Sequence, residues 1–90
     1  MARSKKMSEE AKALWLLGVC QRRLKENPKD VDALFCKGVA LAKMGKFKES
    51  IMFLNKVTLI SPKYPGIDLF KTRVYDALEQ KISSLLDTDI

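Results

Sequence analysis

The 90-residue chain contains no histidine, and its two cysteines, Cys20 and Cys36, stand singly in apolar surroundings. Histidine acid/base catalysis, Cys–His nucleophiles and the usual zinc sites therefore lack their parts. With two cysteines a disulfide scaffold is also a poor description; both read as small apolar residues of a reducing compartment, and the cytoplasm is the expected location. Glycine and proline are scarce, four and three residues, which disfavours a sheet of many short strands and favours long helices. The apolar run 13–20 is only eight residues and is followed by Gln21, Arg22 and Arg23. A membrane span needs about 20 apolar residues, so no membrane insertion is expected. A secretory signal is not expected either, because Ser8, Glu9, Glu10 and Lys12 separate the basic start from that run.

What remains is an ordinary globular composition, 47% hydrophobic and 31% charged, sized for one domain. The net charge is +6, but it is uneven. Residues 1–63 carry 14 basic against 6 acidic groups, and residues 64–90 carry 3 against 5. A basic body with an acidic end raises the prospect of acidic partners, nucleic acid included.

Periodicity divides the chain into four helices. Ser8 is a suitable N-cap for a first helix over 8–26, with Glu9 and Glu10 in its first turn and an apolar stripe of Leu14, Leu17 and Leu24 with Ala13 and Cys20. Asn27-Pro28 stops it. Asp30 caps a second helix over 31–44, ended by Gly45 in a left-handed conformation. A third, 47–60, repeats Phe47, Ser50, Ile51, Leu54, Val57 and Thr58 at helical spacing and ends at Ser61-Pro62. A fourth, 66–86, presents Ile67, Phe70, Val74, Ala77, Leu78, Ile82 and Leu85. Residues 1–7, with Arg3, Lys5 and Lys6, are read as a flexible leader and 87–90 as a frayed tail. The connections are short, so successive helices should be antiparallel, in an up-down bundle or a helical repeat.

Displacing the sequence by 20 residues sets Ala13, Leu14, Trp15, Gly18 and Val19 over Ala33, Leu34, Phe35, Gly38 and Val39. Because glycine inside a helix costs about 1 kcal/mol relative to alanine, Gly18 and Gly38 both suggest close approach of another helix. Residues 31–64 then resemble one tetratricopeptide repeat, a 34-residue helical hairpin. Leu34, Gly38 and Leu41 occupy its large, small and large slots, Gly45 its turn, Phe47, Ser50, Leu54 and Val57 its second helix, and Pro62 its closing proline. Val57 is bulkier than the usual alanine, and Lys37 replaces a commonly apolar residue. The resemblance implies an α-α superhelix that binds proteins without catalysis, along the concave face lined by Asp32, Phe35, Val39, Ala42 and Lys43, with Leu69 and Arg73 on the last helix. The carboxylate-clamping subclass needs Lys and Asn where this chain has Phe35 and Val39, so that mode is not implied.

An occupant that is apolar with acidic flanks, helical or extended, would suit such a face. Phe35 and Val39 read equally as core residues covered by a terminal helix, and Trp15, off the main stripe, as core or as an interface anchor. Met52, Phe53, Leu59 and Ile60 lie beyond the core stripe of helix three. That apolar surplus calls for a further neighbour, a second copy of the chain among the candidates. No cofactor or metal is expected, and the carboxylate pair Asp30 and Asp32 is explained as cap and first-turn residue. The alternative function is a basic helical protein contacting RNA or a ribosomal surface through residues such as Arg22, Arg23, Lys46, Lys48 and Lys56.

Overall fold

A computed structural model describes residues 8–87, so the basic leader expected at 1–7 lies outside the described residues, as do residues 88–90 of the expected tail. The chain is all-α: α1 Glu9–Glu26, α2 Val31–Lys43, α3 Phe47–Ile60 and α4 Ile67–Asp87. Asp87, assigned above to the frayed tail, is the last residue of α4.

Local chemistry sets each boundary. The Ser8 hydroxyl accepts from Ala11 N–H at 3.0 Å and the Asp30 carboxylate from Ala33 N–H at 3.1 Å, caps each worth about 1 kcal/mol. Asp30 is held in turn by the Arg23 guanidinium, 2.9 Å away, which closes the α1–α2 turn. At the end of α2, Gly45 adopts φ +80°, donates to the Ala42 carbonyl, and lets Lys46 N–H reach the Leu41 carbonyl at 2.9 Å. This double bond pattern, a Schellman motif, requires the left-handed residue that glycine supplies without a Cβ penalty.

The helices stack in chain order, α2 against α1 and α3, and α4 against α3. Contacts whose numbers rise on one helix as they fall on the next make each pair antiparallel: Glu9–Lys43 and Arg23–Asp30 across α1 and α2, Phe47–Lys81 and Thr58–Lys71 across α3 and α4. The stack remains open, with α1 and α4 at opposite ends of a body only 21 Å thick, about two helix diameters. The core lies between α2, α3 and the first half of α4, where Leu34, Leu54, Val57, Ile67 and Val74 are buried together. At its tightest point Gly38 faces α3, and the fully buried Ser50 hydroxyl donates to the Gly38 carbonyl at 2.6 Å.

Three expectations change here. Gly18 meets nothing within 4 Å of where a Cβ would stand, whereas Gly38 would bring one to 2.8 Å from Leu54. The two glycines share a sequence context but not a neighbour, because α1 has a helix on one side only. Leu14, placed on the buried stripe, is 54% exposed for the same reason, and α1 instead buries Ala13 and Cys20. Ile82 and Leu85 leave the core because α4 has 21 residues and α3 has 14, so at 1.5 Å per residue α4 overruns its support by about 10 Å. Gly18→Ala is accordingly expected to stabilise the chain by about 0.5–1 kcal/mol, read as a higher urea midpoint at unchanged m-value.

Candidate partner-binding groove

Between α2 and α4 runs a shallow groove of about 200 Å³ that brings together Val39, Ala42 and Lys43 from α2, Phe47 from α3, and Phe70, Arg73, Val74 and Ala77 from α4. Its floor is apolar, formed by Val39, Ala42, Phe47, Phe70, Val74 and Ala77; its charge comes from Lys43 and Arg73, both exposed. Phe47 also borders a second concavity of about 430 Å³, where Lys46, Lys48 and Lys81 surround Leu78 and Ile82. Phe47 lines both, so the two adjoin at its side chain, and one carboxylate, Glu49, stands among the cations of the second.

The residues assigned to a concave face from sequence do not all meet there. Val39, Ala42, Lys43 and Arg73 line the groove, but Asp32 and Leu69 lie outside it. Leu69 is 61% exposed on another side of α4. Phe35 is also outside the groove's lining and is neither sealed in the core nor open: its ring is half-buried, 5.0 Å from Tyr64 and 5.7 Å from Phe70. Such tilted and edge-on aromatic packing contributes beyond area burial and fixes the loop before α4. Phe70 and Ala77 were read only on the apolar face of the last helix; they are half-buried because α4 packs mainly on α3 and meets α2 at few places, such as Phe35, which periodicity does not reveal.

Asp32 has a different partner, the Tyr64 hydroxyl, which donates to its carboxylate at 2.6 Å across 32 residues of chain. That bond, with burial as the second cause, pushes the Tyr64 phenol up to about 12. A phenol whose folded value exceeds its unfolded one adds stability below pH 10 that is lost as pH climbs from about 10 toward 12. Tyr64→Phe should cost about 1 kcal/mol at neutral pH and flatten the alkaline limb of a stability–pH profile.

Of the other expected interface residues, Trp15 is 66%, Met52 56% and Ile60 44% exposed. Phe53 is half-buried, with the Lys37 ammonium 4.3 Å and that of Lys56 4.9 Å from its ring centre. Its face is thus occupied by its own chain's cations, and it is a poorer anchor than its hydrophobicity suggested. The two thiols are free, and they neighbour one another across α1 and α2; burial, then Cys36, pushes the Cys20 thiol up to about 11. Among the described residues no three Cys, Asp or Glu side chains gather closely enough to hold a metal ion, and no helix is long and apolar enough to cross a membrane. The chain matches no model of a known protein family, no curated protein and no solved structure.

Proposed function

We propose that this chain is a non-enzymatic binding module of tetratricopeptide type that receives a helix or extended segment of a partner protein, apolar with acidic flanks, in the groove lined by Phe47. The observation that carries this reading is the apolar groove between α2 and α4, open to solvent and edged by Lys43 and Arg73. An apolar floor supplies affinity through burial, and the cations on the rim steer and orient acidic flanks more than they add affinity. The hairpin slots of 31–64 support the family assignment through their packing: Gly38 and Ser50 where two helices approach most closely, and Leu34, Leu54 and Val57 filling the gap to α4.

The test is selection of ligands from a displayed library of amphipathic peptides, followed by NMR titration of the intact chain with the selected sequences. Selected peptides should combine large apolar residues with flanking Asp or Glu and shift the amides of Val39, Ala42, Phe70, Arg73 and Ala77. Val39→Glu or Arg73→Glu should weaken binding about tenfold or more, equivalent to about 1.4 kcal/mol. Peptide shifts confined to other faces would overturn the reading, as would tight binding of generic RNA that collapses with added salt.

A further inference from the structure

The groove leaves a different feature unaccounted for, the bare outer faces of the two terminal helices. On α1, Ala11, Trp15, Gly18, Arg22 and Lys25 follow one another at three- and four-residue steps, with Leu14 beside Trp15, and so form a single stripe opposite the buried Ala13 and Cys20. Leu14 and Trp15 are 54% and 66% exposed, and Gly18 opens a gap beside them. The stripe is apolar in its first half and basic in its second. On α4, Tyr75, Glu79 and Leu86 make a matching stripe, outside the two concavities, Tyr75 48% and Leu86 68% exposed. It is acidic toward the middle, with Asp68 at its start, and apolar at its end.

Laid antiparallel, the relation every neighbouring pair in this fold already has, the two stripes complement each other. Leu14 and Trp15 meet Leu86, Arg22 comes opposite Glu79, and Lys25 comes opposite Tyr75. Among the described residues Arg22, Lys25 and Glu79 have no ion-pair partner of their own. The overall charge distribution agrees, since the acidic excess is confined to the segment that contains α4.

We infer that the chain associates with a second copy of itself head to tail, α1 of one copy packing on the outer flank of α4 of the next, so that the helix stack continues across molecules. Such an interface is heterologous: each copy keeps one unused face, and growth is open-ended with concentration.

Sedimentation velocity over a concentration series tests this. The intact chain should show mass rising continuously beyond a dimer, and rising less at high salt because exposed charge pairs are screened. Trp15→Glu and Leu86→Glu each alter an exposed residue, so both variants should keep the wild-type circular dichroism spectrum and sediment as monomers. Mixed in equal amounts they should form a one-to-one heterodimer, because each supplies the face the other lacks. A wild-type monomer at the highest soluble concentration overturns the inference. So does a dimer abolished by Leu86→Glu but untouched by Trp15→Glu, which would place α4 against α4, and so does a mixture of the two variants that stays monomeric.

Discussion

Gly38→Val is expected to destabilise the chain by about 3 kcal/mol, the largest effect of any small-residue substitution here. A Cβ at Gly38 would stand 2.8 Å from Leu54 Cδ2, 3.0 Å from its Cγ and 3.4 Å from the Ser50 carbonyl oxygen. Leu54 cannot swing aside, because it is fully buried and already packed against its neighbours. The two methyls that valine adds must therefore push α2 and α3 apart, straining the Ser50–Gly38 hydrogen bond at 2.6 Å. Gly38→Ala separates the opposing terms. Helix propensity favours alanine by about 1 kcal/mol, and the clash with Leu54 opposes it, so a net loss of stability is expected. The same change at Gly18, where the space is open, should act with the opposite sign. If Gly18→Ala and Gly38→Ala shift the urea midpoint in the same direction, the packing difference between the two sites is not as described.

Leu54→Ala is expected to cost about 3–5 kcal/mol. Leu54 has no exposed surface and joins α2, α3 and α4 through the cluster it forms with Leu34, Val57, Ile67 and Val74. Removing its branched end deletes transfer free energy and leaves a cavity that helices on both sides support rigidly, so collapse into the gap is limited. A domain of this length has a total stability of only about 5–13 kcal/mol, so the variant should lose a large share of its folded population's margin. Equilibrium urea unfolding followed by circular dichroism measures it, with the m-value showing whether the native state has loosened. A loss below about 1 kcal/mol would mean that the core does not centre on this residue.

These two residues also show where sequence reading succeeds. Gly38, Ser50, Leu54 and Val57 could be named in advance because a helix that is approached on one side betrays it by small and large residues at fixed steps. Gly45 was legible for a more local reason, the φ +80° that its turn requires. The groove was legible in part. Val39, Ala42, Lys43 and Arg73 converge, but Asp32 is engaged by Tyr64 and Leu69 points elsewhere, since a family's face is transferred slot by slot while the actual tilt of α4 decides which slots converge. Arg23, named from the sequence only among the basic residues, holds the α2 cap, a contact between side chains seven residues apart with no periodic signature.

The amino-acid order by itself determined the four helices, their caps and turns, and the antiparallel run of each on the next, because these depend on interactions within a turn or between adjacent segments. Only the tertiary arrangement decided that the stack stays open. Whether an apolar residue such as Leu14, Trp15 or Ile82 is core or surface depends on what surrounds its own helix, and α1 packs mainly on α2 and α4 mainly on α3, whereas α2 and α3 each lie between two helices. Periodicity records which side of a helix is apolar; it does not record whether anything stands opposite.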